Sequence, residues 1–469
     1  MKPHDESRLR QSFTDAGQGH VFEDFDALGA EERARFLAQL AAVDLAEVAA
    51  QRRLLGQPAA ADGPGEFAPP EVFPLRREAA LERRAREAVD VGRGLLAAGK
   101  VGFLLVAGGQ ASRLGYDGPK GAFQIGPVSQ RSLFEIHARR LLAVRERHRV
   151  AVPWYVMTSP ANDAATRAFF EQHRFFGLDP KDVRFFSQAM IPAMDPEGRI
   201  LRAGPGELFL APNGHGGVLL ALERSGALSD ARARGLEQFS YFQVDNPLAR
   251  PGDPLFLGLH ALEGAGMSSK VVAKRDAAEK VGVIGRVGSK LGCIEYSDLP
   301  PHLREDRDPH GELRFRAGNI AVHAIERTFV ERLTRGGLLL PWHLARKKML
   351  VWEQGELVQR EGIKFEAFVF DALAASERSL TLEVARHEEF SPVKNASGED
   401  SPATARRDLC RLHAEWVRGA GFELPPPGDD GVHPIEVDPL VAEDAVAFRA
   451  RPHRPIVTER GHFYVHEHH

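Results

Sequence analysis

The chain of 469 residues has only two cysteines, Cys293 and Cys410, which lie in separate parts of the sequence. Two distant cysteines do not have the spacing of metal ligands, and they exclude a disulfide framework. Free cysteine is among the most buried residue types in folded proteins. We therefore expect both thiols to be buried as small hydrophobic side chains.

Long apolar runs are also missing, since no segment reaches the roughly 18 residues that a membrane helix requires. The first residues are polar and acidic, unlike a signal peptide, so we expect a cytoplasmic protein without a membrane partner. The formal net charge is −4, which gives no electrostatic reason to expect nucleic acid as a partner. Anionic ligands must therefore be held by local clusters of cations.

What is present is ordinary globular composition, with 43% hydrophobic and 27% charged residues. Helical periodicity marks residues 1–55 and 77–98, and strands then alternate with helices from residue 101 onward. The alternation predicts an α/β fold, a mixed and mainly parallel Rossmann-like sheet flanked by helices. Residues 364–375 are predicted to form a helix and residues 380–384 a strand. We predict a helical N-terminal part at 1–95, a central domain at 96–400 and a small C-terminal domain at 401–469.

A glycine-rich loop follows the apolar segment 101–106, which has the composition of a strand buried on both faces. Gly108 and Gly109 have no Cβ, so the backbone can turn sharply and approach a ligand closely. Arg113 and Lys120 follow within the same loop, and free N–H groups beside two cations suit a polyphosphate. The spacing is neither that of a Walker A loop nor that of a dinucleotide loop. On spacing alone, a tight turn without a ligand remains an alternative.

This loop and several later segments resemble the uridylyltransferases of the UDP-sugar pyrophosphorylase superfamily. The branch that they resemble most is the eukaryotic-type UDP-N-acetylhexosamine pyrophosphorylases. The matches keep their order and cover roughly residues 85–445. The matched segments are residues 107–115, 119–121, 154–159, 185–194, 244–248, 317–321, 362–366, 389–395 and 402–406.

The resemblance implies a nucleotidyltransferase sheet and the reaction of UTP with N-acetylglucosamine 1-phosphate to give UDP-N-acetylglucosamine and pyrophosphate. A sugar-phosphate oxygen attacks the α-phosphorus of UTP in line, and two polyanions must first be brought together. Positioning and charge neutralisation therefore dominate catalysis. The resemblance implies Mg²⁺ as cofactor, and UTP and a sugar 1-phosphate as partners. We expect a monomer or a weak homo-oligomer.

By resemblance, Arg113, Lys120 and Lys394 are the catalytic cations. The first two would hold the triphosphate and the leaving pyrophosphate, and Lys394 would neutralise the phosphate of the sugar phosphate. Asp245 follows an apolar strand and would bind Mg²⁺ together with phosphate oxygens. The alternative for Asp245 and Asn246 is that they only cap the turn before a proline.

The resemblance also implies two sets of binding residues. Nucleotide-binding roles fall on Ala107, Gly108, Gly109, Gln188, Gly214, His215, Asp245 and Lys364. Sugar-binding roles fall on Glu295, Asn319 and Lys394. A glutamine amide offers one acceptor and two donors, which suits the imide edge of uracil.

The chain departs from the N-acetylhexosamine branch at residues 212–217, where His215 replaces the usual asparagine. A Gly-His-Gly sequence is more similar to the UDP-glucose and UDP-sugar branches. The product could therefore be UDP-glucose or a broad set of UDP-sugars. A nucleotide-sugar sensor without turnover is a further alternative, although a sensor would not need both phosphate clamps and a metal carboxylate.

Overall fold

The computed structural model describes residues 3–56, 66–451 and 454–465. Its α-helices are α1 Pro3–Asp15, α2 Ala30–Ala41, α3 Leu45–Leu55, α4 Ala79–Ala97, α5 Leu133–His148, α6 Asp163–Gln172, α7 Gly217–Arg224, α8 Ala227–Ala233, α9 Pro254–Glu263, α10 Pro301–Arg304, α11 Arg327–Thr334, α12 Arg386–Glu389, α13 Pro402–Gly419 and α14 Ala445–Ala450.

The strands are β1 Phe67–Ala68, β2 Val101–Val106, β3 Trp154–Thr158, β4 Val183–Ser187, β5 Met190–Pro192, β6 Arg202–Gly204, β7 Glu207–Leu208, β8 Leu210–Pro212, β9 Gln238–Gln243, β10 Met267–Ala273, β11 Val283–Val287, β12 Lys290–Ile294, β13 Ala317–Glu326, β14 His343–Glu353, β15 Glu356–Glu366, β16 Thr381–Glu383, β17 Ile435–Val437, β18 Ile456–Thr458 and β19 Gly461–Tyr464.

The described residues divide into two compact units. The first unit contains residues 3–56, 188–218 and 339–369. The second contains residues 66–187, 219–338, 370–451 and 454–465. The three-part division by sequence position stays a prediction.

The second unit is built on a mixed sheet whose main path runs β1-β11-β13-β9-β2-β3-β4. Strands β9, β2, β3 and β4 are parallel to one another, whereas β13 is antiparallel to β9. On the branches, β10 pairs with both β13 and β16, and β12 pairs with β11. The expected mixed α/β sheet is confirmed. Its parallel pairs are β9-β2-β3-β4 and β10-β16, whereas the pairs among β1, β11, β12, β13 and β10 are antiparallel.

The central strands form because their residues are buried on both faces. Every residue of β3 is buried, as are the first five residues of β2. Helix α5 begins where the Ser132 hydroxyl accepts a hydrogen bond from the Glu135 N–H at 3.1 Å, which satisfies one of the free donors at a helix start. Apolar side chains of α5, including Phe134 and Leu141, pack in the same core as the sheet.

The first unit has a separate core in which its N-terminal helices pack against residues of its three two-stranded sheets, β5–β8, β6–β7 and β14–β15. Phe13, Phe25 and Phe36 pack there with Ile363 and Phe365 of β15. Strands β14 and β15 form a long antiparallel hairpin. The predicted helix over residues 364–375 is wrong at its start, because residues up to Glu366 continue β15 and only Val369–Ala375 is helical, as a 3₁₀ turn.

The last part of the second unit contains a three-stranded sheet of β17, β19 and β18. Helices α13 and α14 contribute to its apolar cluster through Trp416 and Phe448. Cys410 is buried, as expected, whereas Cys293 is only half-buried. Among the described helices, none has the length and apolar character needed to cross a membrane.

Candidate active site

One edge of the large sheet collects most of the predicted site residues of the second unit. Since β2, β3 and β9 are parallel, their carboxyl ends lie at one edge, where ligands bind in open α/β sheets. Strand β13 runs the opposite way, so its first residues lie at that same edge. Residues at or shortly beyond these strand ends are Ala107, Gly108, Gly109, Arg113, Lys120, Asp245 and Asn319.

The glycine-rich loop is held by hydrogen bonds from side chains of the turn that follows β3. The Asn162 side-chain amide donates to Ala107 O at 2.9 Å and to Gly109 O at 3.1 Å. The Ser159 hydroxyl donates to Gly108 O at 2.8 Å. Three consecutive carbonyls of the loop are therefore occupied by buried side chains, which fixes the peptide planes between them.

Of the two expected reasons for glycine in this loop, a sharp turn and the close approach of a ligand, only the second applies at Gly109. Gly109 does not have a left-handed φ, so the turn itself does not require glycine there. A Cβ at Gly109 would meet no protein atom within 4 Å. The expected close approach of a ligand to the backbone is thus the remaining reason for a glycine at this position. Arg113 lies beyond it in a 3₁₀ turn, exposed and without an ion-pair partner among the described residues.

Lys120 and Asp245 come together from two different segments. Lys120 Nζ lies 3.6 Å from Asp245 Oδ2, and the two side chains are only 18% and 14% exposed. Lys120 follows the glycine-rich loop, whose Gly109 O accepts a hydrogen bond from Lys120 N at 3.1 Å. An ammonium and a carboxylate at this distance can hold a polyanion and its counter-cation side by side.

The loop that carries Lys394 is joined directly to the end of β9. Val393 N donates to Asp245 O at 2.8 Å, and Lys394 N and Asn395 N both bond Asp400 O. The Lys394 side chain is exposed, with its ammonium 5.9 Å from the centre of the Phe390 ring. Lys394 therefore belongs to the same neighbourhood as Lys120 and Asp245.

Two of the three predicted sugar-binding residues, Asn319 and Glu295, lie close to Cys293. Asn319 Nδ2 lies 3.7 Å from Cys293 Sγ, and Asn319 N donates to Gly282 O at 2.8 Å. A Cβ placed on Gly282 would lie 2.8 Å from the same sulfur and 3.4 Å from Glu295 Oε1. Burial and the charge of Glu295 raise the pKa of the Cys293 thiol, while the Asn319 hydrogen bond opposes that rise. The thiol is therefore neutral.

A bulge in β13 begins next to Asn319. Val271 pairs with Asn319 and Ser269 with His323, so β13 has two more residues than β10 between these pairs. Ala321 lies inside the bulge with φ 54°, and its N–H donates to Asn319 Oδ1 at 3.0 Å. Such left-handed backbone is uncommon for a residue with a Cβ and collects at functional sites.

The remaining predicted residues lie in the first unit and gather near the pair β5–β8. Gln188 precedes Ala189, whose carbonyl accepts a hydrogen bond from Asn213 N at 3.3 Å. Gly214 has φ 80°, and a Cβ there would lie 2.4 Å from Ala367 O. Glycine is thus required at this position by both conformation and contact.

His215 and Lys364 complete this second group. His215 Nδ1 accepts a hydrogen bond from Val369 N at 3.2 Å, which leaves the proton of a neutral ring on Nε2. The ring stacks on Phe368 with centroids 5.3 Å apart. Lys364 lies on β15, not on the predicted helix, and its ammonium is 5.6 Å from the centre of the Phe209 ring.

The donor set fits one way of binding Mg²⁺. Within the described ranges, no group of three or more His, Cys, Asp or Glu side chains could hold a metal ion by itself. Asp245 instead offers a single, partly exposed carboxylate. Mg²⁺ bound with substrate phosphates commonly uses one or two carboxylates and keeps water as its other ligands. These residues therefore suit an ion that arrives with a nucleotide, not one in a closed protein cage.

Comparison with known proteins shows to which family the chain belongs. The family model described as UTP–glucose-1-phosphate uridylyltransferase matches residues 72–414. The chain belongs to this family. Its glycine-rich loop, Asp245 and Lys394 all lie inside the matched part, as do β2 through β16.

Relatives of the enzyme share nearly the whole chain. A Homo sapiens protein, "UDP-N-acetylhexosamine pyrophosphorylase-like protein 1", is 37% identical over 474 residues, covering 93% of both chains. The "UDP-N-acetylglucosamine pyrophosphorylase" of Saccharomyces cerevisiae is 33% identical, covering 88% of this chain and 91% of its own. The solved Trypanosoma brucei UDP-N-acetylglucosamine pyrophosphorylase has a TM-score of 0.79 at 29% identity, covering 96% of this chain and 95% of that one. The enzyme is therefore a uridylyltransferase by family.

Sequence reasoning missed Asn162 as a residue that shapes the loop. Its amide holds Ala107 and Gly109, yet it lies about fifty residues further along the chain. A signal was available, because Ser159 and Asn162 directly follow β3, which neighbours β2 in the sheet. Polar residues after neighbouring parallel strands meet at one edge, whatever their separation in sequence.

Proposed function

We propose that the enzyme transfers the uridylyl group of UTP to N-acetylglucosamine 1-phosphate, giving UDP-N-acetylglucosamine and pyrophosphate. The observation that carries the proposal is the meeting of Lys120, Asp245 and the Lys394 loop at one edge of the sheet. The names of the relatives support the choice of sugar.

In this proposal each residue has one electrostatic task. Lys120 and Arg113 hold the triphosphate and the departing pyrophosphate, because a point charge and a planar fork suit different phosphate oxygens. Lys394 neutralises the attacking sugar phosphate, so that two polyanions can approach. Asp245 would hold Mg²⁺, which supplies charge neutralisation at the phosphate oxygens when bound.

The reaction needs no general base in this arrangement. The nucleophile is a phosphate oxygen, which is already deprotonated near neutral pH. A bond forms between that oxygen and the α-phosphorus, and the bond from the α-phosphorus to the bridging oxygen of pyrophosphate breaks. The rate therefore depends on how the cations are placed and not on a proton transfer.

A second product, UDP-glucose or several UDP-sugars, is favoured by His215. An imidazole whose Nδ1 is engaged by Val369 N presents a different hydrogen-bonding edge from the asparagine amide usual in the N-acetylhexosamine branch. We also propose a cytoplasmic enzyme that is a monomer or a weak homo-oligomer.

A panel of sugar 1-phosphates tests the proposal. Purified protein is incubated with UTP, Mg²⁺ and the 1-phosphates of N-acetylglucosamine, N-acetylgalactosamine, glucose and galactose, and pyrophosphate release is measured. We expect the largest kcat/KM with N-acetylglucosamine 1-phosphate. A larger value with glucose 1-phosphate would favour the second candidate, and no release with any sugar would overturn both.

A further inference from the structure

Asn246 is a buried amide directly after Asp245. Its side chain is 3% exposed. Its Nδ2 donates to Glu389 O at 2.7 Å, and its Oδ1 accepts from Ser391 N at 3.1 Å. One amide therefore bonds the backbone at two points of the segment that leads to Lys394.

A third hydrogen bond extends the same connection. Val393 N donates to Asp245 O at 2.8 Å, so the strand end and the segment 389–393 are joined by two side-chain bonds and one backbone bond. Lys394 is the next residue, and residues 394–399 are exposed. The position of Lys394 relative to Asp245 thus depends on what holds the residues just before it.

The other end of this segment is fixed by a buried charge cluster. Lys270 on β10 is fully buried, with its Nζ 2.6 Å from Glu389 Oε2 and 2.7 Å from Asp253 Oδ2. Burial opposes ionisation of Asp253, but Lys270 and Arg250 outweigh it and lower the pKa of that carboxyl. The ion pair with Lys270 therefore holds Glu389 in place at the start of the segment, because breaking a buried ion pair is costly.

We propose that Asn246 is a positioning residue that sets the distance between the Asp245 carboxylate and the Lys394 ammonium. It thereby sets the register between the nucleotide and the incoming sugar phosphate. This inference rests on the proposed function, which places one substrate phosphate group at each of these two residues. Asn246 also caps its own turn through Leu248 N at 3.3 Å, but the cap uses only Oδ1 and leaves the role of Nδ2 unexplained.

The proposal predicts which kinetic parameter changes. The glycine-rich loop is held by Asn162 and Ser159, independently of Asn246. Loss of the Asn246 amide should therefore spare the nucleotide side and displace Lys394. A displacement of about 1 Å in a positioned group can cost roughly 100-fold in rate. For Asn246→Ala we expect kcat/KM for N-acetylglucosamine 1-phosphate to fall by about 10- to 100-fold, with the KM for UTP changed less than twofold.

A double-mutant cycle with Lys394→Ala makes the test specific. If Asn246 acts through Lys394, then Asn246→Ala should cost less than threefold in the Lys394→Ala background. Asn246→Asp is the second variant, since it keeps the acceptor and the turn cap but cannot donate to Glu389 O. It should show the same selective loss if Asn246→Ala does not fold.

Ser268→Ala is the matched control, because its buried hydroxyl bonds His260 Nδ1 and Leu380 N outside this connection. We expect it to keep wild-type kinetics. The inference would be overturned, with the wild-type enzyme still active, by either of two results. One is an Asn246→Ala effect on the kinetics with UTP as large as that on the kinetics with the sugar phosphate. The other is a double variant whose kcat/KM falls by the full product of the two single losses. A wild-type enzyme without turnover would overturn the proposed function, and this inference with it.

Discussion

Removing the Lys394 ammonium should impair turnover without weakening the fold. Lys394 is exposed and has no ion-pair partner within 4 Å among the described residues, and its ammonium lies 5.9 Å from the centre of the Phe390 ring. Exposed substitutions of this kind usually change the free energy of unfolding by less than about 0.5 kcal/mol. Its backbone N–H, which bonds Asp400 O, is kept in Lys394→Ala.

The expected kinetic cost follows from the loss of one charge contact in the transition state. Removal of one such contact typically costs about 2–4 kcal/mol, and 1.36 kcal/mol corresponds to a factor of ten. Lys394→Ala should therefore lower kcat/KM for the sugar phosphate by about 30- to 900-fold. The assay is pyrophosphate release at saturating UTP with varied N-acetylglucosamine 1-phosphate.

Lys290→Ala provides the control, since Lys290 is also exposed and lies at the turn between β11 and β12. It should leave kcat/KM unchanged within twofold. The reasoning is refuted if Lys394→Ala keeps wild-type kcat/KM. It is also refuted if Lys394→Ala loses activity only because its urea midpoint falls well below that of Lys290→Ala.

Two further predictions concern the buried polar groups. Burial lowers the pKa of three histidines below the ordinary 6.5, to about 3 for His137, about 4 for His260 and about 3 for His413. The unfolded chain then binds more protons, so the free energy of unfolding should fall as pH drops below 6.5, by about 2 kcal/mol per histidine at pH 5. Urea unfolding from pH 7 to pH 5 measures this, and a constant midpoint would contradict it. Asn162→Ala removes two hydrogen bonds to the glycine-rich loop, each worth about 1 kcal/mol. It should therefore raise the KM for UTP roughly 5- to 30-fold in initial-rate assays. An unchanged KM for UTP would show that the loop does not need these hydrogen bonds.

The parts of the fold that the sequence predicts well are those whose pattern is local. Val101–Val106 is apolar throughout, and its boundaries as a strand agree with the expected ones. Helix α13, Pro402–Gly419, is marked in the sequence by a serine cap and a proline in its first turn. Both elements carry their own start and stop signals.

The hairpin β14–β15 could not be predicted in the same way, because one strand of it becomes regular only by pairing with the other. Lys364 faces Ala345 across the hairpin, and Ile363 and Phe365 are fully buried in the core of the first unit. Residues 364–375 also fit a helical spacing when read alone. Packing and pairing with other segments, and not the local spacing, made the first of these residues a strand instead of a helix.

In the candidate site, too, local sequence identifies single residues, whereas their contacts depend on segments distant in sequence. The resemblance identified Arg113, Lys120, Asp245 and Lys394 as separate residues, and the structure adds the 3.6 Å contact of Lys120 with Asp245. Asn162 was out of reach of local patterns because its partners, Ala107 and Gly109, lie in the loop after the neighbouring strand β2. The β13 bulge at Ala321 was equally hidden, since a count of two extra residues exists only relative to β10.

Transfer of a labelled phosphorus tests the central claim most directly. UTP labelled at the α-phosphorus is incubated with N-acetylglucosamine 1-phosphate, Mg²⁺ and the enzyme, and the products are separated. We predict that the label appears in UDP-N-acetylglucosamine at the same rate as unlabelled pyrophosphate is released. Label that stays in UTP, or that appears in UMP without a sugar nucleotide, would contradict uridylyl transfer.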